Sequence, residues 1–155
     1  DRAAQRHHAL PVRFAALTQE FGRGDPEEGV RRVEAGCKRL RIPNDCRDLG
    51  LMSARERLQV RRALALSPEE LVTLLERCDA IRKPQRLREL LLACDCHHAA
   101  RQAPTAPSPE SLRIAATLEA VLAVDAGAIA RQHSGDPKRL PQAIHAARVA
   151  AAAQR

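Results

Sequence analysis

The sequence predicts an all-α protein, a bundle of amphipathic helices. Strand formers are scarce: among 155 residues there is no Trp, no Tyr and only two Phe. Ala, Leu, Arg and Glu dominate instead, and these favour helix. Apolar residues recur at helical spacing through most of the chain, and Pro or Ser-Pro signals fall where helices would begin. At this length the chain forms one domain or two small ones.

The elements follow in order. Pro11 suits a first helical turn, Val12, Ala15 and Ala16 follow at helical spacing, and Gly22 to Gly24 ends that helix. Pro26 opens the next, with Val30, Val33, Cys37 and Leu40 along one face. Pro43 restarts the chain, and Ser53-x-x-Glu56 reads as a capping box ahead of Leu58. Ser67-Pro68-Glu69-Glu70 is a stronger start, with a Ser cap, Pro at the first position and Glu at the third. Leu71, Leu74, Leu75 and Cys78 then form a core stripe. Pro84 breaks that helix, and Leu87, Leu90, Leu91 and Cys94 begin another stripe. Residues 103–109, Ala-Pro-Thr-Ala-Pro-Ser-Pro, hold three Pro, which a helix interior excludes. Ser108, Pro109 and Glu110 start a helix with Ile114, Leu118, Val121 and Leu122 inside. Gly135 and Pro137 punctuate, and a last helix begins near Pro141. This predicts a body over 1–102, a Pro-rich linker over 103–109 and a helical tail over 110–155.

The net charge is +7, which attracts polyanions, nucleic acid above all. The competing reading is a solubility charge. Arg31, Arg32, Lys38, Arg39 and Arg41 lie on or near one helix, and Arg55, Arg57, Arg61 and Arg62 on another. Arg82, Lys83, Arg86 and Arg88 flank Pro84. A guanidinium binds phosphate bidentately, so arginines at helical spacing can track an RNA backbone. Against this, Glu27, Glu28, Glu56 and Glu89 could pair with them on a solvated face. Asp79, three residues before Arg82, is placed for an ion pair. With neither Trp nor Tyr, stacking on bases is expected to be unavailable, leaving the shape and backbone of a helical RNA as what is read.

Other classes are disfavoured. No apolar run approaches the ~18 residues of a membrane span, and no signal-peptide pattern is visible. Five Cys at irregular spacing argue for free thiols in a reducing cytoplasm. Cys94-x-Cys96-His97-His98 offers zinc-type ligands, but it is too compact to close a site easily and follows the Leu90 to Leu92 stripe, so Cys94 is expected to be buried. His7 and His8 read as surface residues. No Ser-His-Asp or Cys-His arrangement can be argued from the spacing.

Four segments carry a family resemblance. Residues 10–24, Leu-Pro-Val-Arg-Phe-Ala-Ala-Leu-Thr-Gln-Glu-Phe-Gly-Arg-Gly, resemble the second metal-binding segment of an HD phosphohydrolase domain, an apolar helix ending in His-Asp and then Gly-Lys-Gly. Phe14, Ala15, Leu17, Gly22 and Gly24 keep the scaffold. Gln19 stands at the His position and Glu20 at the Asp position. The His-rich stretch that follows in the family is missing, since Gly24 runs into Asp25-Pro26-Glu27-Glu28. An amide is a poor substitute for imidazole at a transition metal, so the resemblance implies a fold kept after its site was lost. Cys78 to Leu87 is similar to the Asp-Ala-x-Arg-Lys-Pro-x-Arg segment of bacterial CCA-adding enzymes (tRNA nucleotidyltransferases) with a C-terminal HD domain. Arg39 to Leu49 resembles their Arg-Leu-x-x-Pro-Asn-x-x-Arg-Asp-Leu run, and Ile144 to Val149 their last helix.

The resemblance implies a degenerate HD-like helical body followed by a tail, together gripping the acceptor and TΨC arm of tRNA. Asp1-Arg2-Ala3-Ala4 resembles the middle of a family helix, so the chain is expected to be a C-terminal piece of a longer enzyme. The nucleotidyltransferase motifs, Gly-Ser and paired Asp carboxylates, do not occur in the sequence. No cofactor is therefore expected for this chain; Mg²⁺, ATP and CTP would serve the parent enzyme. RNA contacts are expected among Arg82, Lys83, Arg86, Arg39, Arg41, Arg61 and Arg62, the first three favoured because the resemblance falls on them. Two rival readings stand beside this one. The first is a degenerate HD-domain phosphohydrolase acting on phosphoesters. The second is a structural module that forms a homodimer through the Ala-rich helix 141–153.

Overall fold

A computed structural model describes the backbone of residues 7–102, 106–132, 136 and 138–154, and the side chains of these apart from 97–102. The helix expected at Asp1 to Ala4, residues 103–105, the punctuation at Gly135 and Pro137, and the side chains of His97 and His98 lie outside the described residues. Within them the regular structure is helical, with no strand. The α-helices are α1 (Leu10–Thr18), α2 (Pro26–Leu40), α3 (Asn44–Arg61), α4 (Pro68–Arg77), α5 (Pro84–Gln102), α6 (Pro109–Leu122), α7 (Ala126–Gln132) and α8 (Leu140–Ala152). A 3-10 turn at Ala63–Ala65 joins α3 to α4. The protein is an all-α bundle, as its composition predicts.

Helix starts follow local chemistry. The Asp25 carboxylate accepts from the Glu27 and Glu28 N–H groups, with Pro26 in the first turn. Ser67 and Glu70 form a reciprocal capping box: Ser67 Oγ accepts from Glu70 N–H at 3.2 Å, and the Glu70 carboxylate accepts from Ser67 N–H at 2.7 Å. The bond from the Ser67 backbone N–H, with the Ser67 hydroxyl beside it, holds the Glu70 carboxyl below its ordinary range. Ser67→Ala is expected to lower stability by about 1 kcal/mol, read as a fall in the urea midpoint; an unchanged midpoint would show that packing alone fixes this helix start. Ser108 Oγ accepts from Ser111 N–H at the start of α6.

The core is assembled around α3, on which α1, α2 and α5 pack. Leu71, Leu74, Leu75, Leu87 and Leu90 are fully buried, together with Ile114 and Leu118 of α6. Each buried side chain of this size stabilises by about 1.5–3 kcal/mol relative to exposure. A smaller cluster of Val33, Cys37 and Ala54 joins α2 to α3, with Phe14 and Val30 against it. α8 packs on α4 and α6, and Glu76 of α4 faces His145 Nδ1 at 3.2 Å and Arg148 Nη1 at 3.4 Å. Arg113 of α6 donates to the carbonyls of Leu64 and Leu66, at and just beyond the 3-10 turn.

Several expectations need correction. Ser53 and Glu56 do not cap a helix; they lie inside α3, which already begins at Asn44 behind Pro43. Glu56 is buried and takes the Arg77 guanidinium of α4 through both oxygens, at 3.2 and 2.7 Å. Ser53 Oγ is buried with no hydrogen-bond partner among the described residues. Leu40, at the last residue of α2, is 63% exposed, and Leu122 at the end of α6 is also exposed, because a helix that outruns its neighbour carries its apolar stripe into solvent. Leu17 is exposed as well. The separate helix α7 is not foreseen by the periodicity, although its signal is local: the Asp125 carboxylate accepts from Ala128 N–H at 2.8 Å.

The corner from α1 to α2 depends on glycine. A Cβ on Gly22 would lie 2.0 Å from the Asp25 carbonyl oxygen and 2.6 Å from Gly29 N. Gly24 has φ +106°, a left-handed conformation that suits glycine.

Candidate nucleic-acid interface

Gln19 and Glu20 follow directly on the end of α1. The Gln19 side chain is 3% exposed, and its Nε2 donates to the carbonyls of Ala16 and Ala93, both at 3.2 Å. It pins the end of α1 to α5. Glu20 accepts from Arg57 Nη1 of α3 at 2.9 Å and lies 3.8 Å from Arg61 Nη1. Arg57 is buried, whereas Arg61 is half exposed. Arg57 is thus a structural cation, while Arg61 keeps an open side toward solvent.

The α1–α2 corner and the outer face of α2 form a cleft of about 650 Å³. Phe21, Arg23, Arg32 and Arg39 line it, with Gly36 and Ala35 of α2 as its floor and Glu20 at its edge. Glu28 binds Arg31 at 2.7 Å and Arg32 at 2.5 Å, and these hydrogen bonds hold its carboxyl below the ordinary range. The side chains of Arg23, Arg39 and Arg41 make no hydrogen bond or ion pair with the other described residues. Arg23 and Arg41 both hold left-handed φ angles, 50° and 52°, where glycine is the usual occupant of a helix C-terminal corner. Neither Arg23 nor the exposed ring of Phe21 stands out in the sequence. Phe21 is 41% exposed, an aromatic side chain that an argument from Trp and Tyr alone leaves out.

A second, narrower cleft of about 210 Å³ lies where α3, α4 and the start of α5 meet. Arg55, Arg77 and Arg86 face Asp48, Glu56 and Asp79 there. Arg77 is committed to Glu56. Arg82 binds Asp79 at 2.8–3.2 Å, the ion pair that their spacing suggested, and holds the Asp79 carboxyl below its ordinary range. Arg55 and Arg86 have no side-chain partner among the described residues.

The seven basic residues expected to touch RNA therefore do not converge on one site. Arg39 lines the wider cleft, Arg86 the narrower one, and Arg61 stands beside Glu20. Arg41 caps α2 and Arg62 caps α3. Arg82 and Lys83 are exposed at the α4–α5 corner, Arg82 tied to Asp79.

All five Cys are free and buried. Cys94, buried as its stripe suggested, and Cys78 have thiols pushed up to about 12, chiefly by burial, with Asp95 and Glu56 respectively adding to the effect. Asp95 is engaged with α6, accepting from Ser111 Oγ at 2.9 Å and Ser108 N–H at 3.3 Å. Among the described residues no three His, Cys, Asp or Glu side chains are grouped so as to hold a metal ion, and no helix is long and apolar enough to cross a membrane.

Compared with curated proteins, the chain is 40% identical to the multifunctional CCA protein of Ralstonia nicotianae, over 99% of this chain and 39% of that protein. It is 43% identical to those of Herminiimonas arsenicoxydans and Cupriavidus taiwanensis, over 99% and 100% of this chain and 41% and 40% of theirs. The chain is a homologue of the multifunctional CCA proteins. It spans about two-fifths of the length of these relatives. No family model and no solved structure matches it. Two of the segments that carry the resemblance to CCA-adding enzymes meet in space: Asp48 of the first and Asp79 and Arg86 of the second line the narrower cleft.

Proposed function

We propose that this chain is a tRNA-gripping region of a CCA-adding enzyme, holding the acceptor and TΨC arm while performing no chemistry itself. The observation that carries this reading is the number of guanidinium groups left without partners among the described residues, Arg23, Arg39, Arg41, Arg55, Arg62 and Arg86 among them, on a chain homologous to the CCA proteins over 99% of its length. Their spread over helix ends and two clefts suits an extended phosphate backbone better than one compact ligand. Phosphate contacts would dominate the affinity and make it salt-sensitive.

The HD-like body is part of this reading, with its hydrolytic site lost. The residues present do not fit a metal. The Gln19 carboxamide donates both of its observed bonds to carbonyls, and the Glu20 carboxylate already holds the Arg57 guanidinium. A divalent cation at Glu20 would face that fixed positive charge across a few ångströms. Mg²⁺, CTP and ATP are accordingly assigned to nucleotidyltransferase residues of the whole enzyme. Five buried free thiols suit a reducing cytoplasm.

The test is fluorescence anisotropy with labelled tRNA and with a hairpin lacking the tRNA elbow, at about 50 and 200 mM salt. Tighter binding to tRNA that weakens at the higher salt is expected. Arg39→Ala with Arg41→Ala should weaken it about tenfold and flatten the salt slope by about one unit for each phosphate no longer neutralised. Equal binding to both RNAs would overturn tRNA recognition. No binding to either would leave the half-exposed face of α8 as a dimerisation surface, which light scattering would reveal.

A further inference from the structure

The wider cleft has features that a grip on a regular RNA helix does not use. Phe21, 41% exposed, lines it. Beside it Arg23 and Arg39 have no side-chain partner among the described residues, whereas Arg32 is held by Glu28. The acidic group at the edge, Glu20, is offset by Arg57 and Arg61, so the cleft is positive overall. Gly36 of α2 lines it with open space above: a Cβ added there would meet nothing within 4 Å. Its volume, about 650 Å³, falls within the roughly 300–1,000 Å³ range of small-ligand sites.

We infer that this cleft binds a single nucleotide, its base stacked on Phe21 and its phosphate held by Arg23 and Arg39, without metal and without hydrolysis. A ring face, two free guanidinium groups and an open floor together match a nucleoside phosphate, since stacking is tolerant of base identity while arginine supplies the anion contact. Inorganic phosphate would leave the ring unused, and an apolar ligand would leave the arginines unused. The ligand could be a free nucleotide or an unpaired nucleotide of an RNA; only the second source rests on the tRNA-binding reading.

The probes are 2-aminopurine riboside 5′-monophosphate, whose fluorescence falls when the base stacks, and an RNA hairpin carrying 2-aminopurine either as a single bulge or fully paired. Ribose 5-phosphate serves as a competitor without a base. Quenching of the free nucleotide or of the bulged hairpin, but not of the paired one, is expected. Phe21→Ala should weaken it about tenfold or more, and Phe21→Tyr should retain it. Because Phe21 lies outside the core clusters, its replacement leaves the fold intact, which circular dichroism checks. Gly36→Leu fills the cleft from the helix itself and should abolish quenching while raising the melting temperature.

Quenching by the free nucleotide without any tRNA binding would support the site with free nucleotide as its source and sink the tRNA reading. Quenching only in the bulged hairpin would support it with RNA as the source. Quenching untouched by Phe21→Ala and Gly36→Leu, or tRNA binding with no quenching of any probe, would overturn the site while leaving the tRNA reading standing. Ribose 5-phosphate competing as well as the nucleotide would likewise overturn the role of the ring.

Discussion

Gly22→Ala is expected to cost about 3 kcal/mol or more of stability, at or beyond the upper end of overpacking penalties. The added Cβ would meet the Asp25 carbonyl oxygen at 2.0 Å, Gly29 N at 2.6 Å and Gly29 Cα at 2.8 Å. All three are backbone atoms, so no side chain can swing aside. The corner is also closed by Asp25 N–H donating to Gly22 O at 2.9 Å and Gly29 N–H donating to Asp25 O at 3.0 Å. Opening it to admit a methyl group would disturb the Asp25 cap of α2 as well. The same substitution at Gly36 should act in the opposite direction. There the new methyl group meets nothing within 4 Å, and alanine in a helix interior is favoured by about 0.5–1 kcal/mol. Urea unfolding followed by circular dichroism measures both changes. A Gly22→Ala midpoint equal to that of the parent chain would refute the close approach of α1's corner to α2.

The second large effect is alkaline. The Cys78 and Cys94 thiols are raised from the ordinary 9.0 to about 12 in the folded chain. A raised folded value means that the unfolded chain loses its thiol protons first as pH rises. The stabilisation is full below pH 9 and disappears between about pH 9 and 12. Each thiol should then remove about 1.4 kcal/mol per pH unit in that window, roughly 3 kcal/mol per unit for the pair. The Cys37 and Cys46 thiols, also raised by burial, add to the same limb, and there is no Tyr to titrate beside them. Urea midpoints should be nearly level up to about pH 8.5 and fall steeply from about pH 9 to 11. In the Cys78→Ala, Cys94→Ala double variant the midpoint should begin lower but decline less. A parallel decline in both proteins would assign the alkaline limb to other groups.

The parts of the fold legible in the sequence are those governed by neighbours three or four residues apart. Ser67-Pro68-Glu69-Glu70 and Ser108-Pro109 start helices because each cap bonds within its own turn. Asp79 and Arg82 pair for the same reason. Ser53-x-x-Glu56 has a similar local pattern and fails, because α3 is already under way and Glu56 is claimed by Arg77, 21 residues distant. The partnership of Glu20 with Arg57 spans 37 residues and leaves no periodic trace. Sequence position alone therefore could not distinguish guanidinium groups absorbed by the core, such as Arg57, from those left open, such as Arg23 and Arg39. The exposure of Phe21 is hidden similarly: an apolar residue after a helix end reads as core until the packing of the corner is known.

Arg113 gives the molecule a mechanical property. Its guanidinium, on α6, holds the carbonyls of Leu64 and Leu66, immediately beyond the end of α3 where Arg61 and Arg62 stand. A pull applied to those arginines is transmitted through a turn of three residues into α6, and through the packing of α6 on α8 into the far side of the bundle. Two hydrogen bonds and one helix-on-helix contact thus tie the end of α3, through α6, to α8.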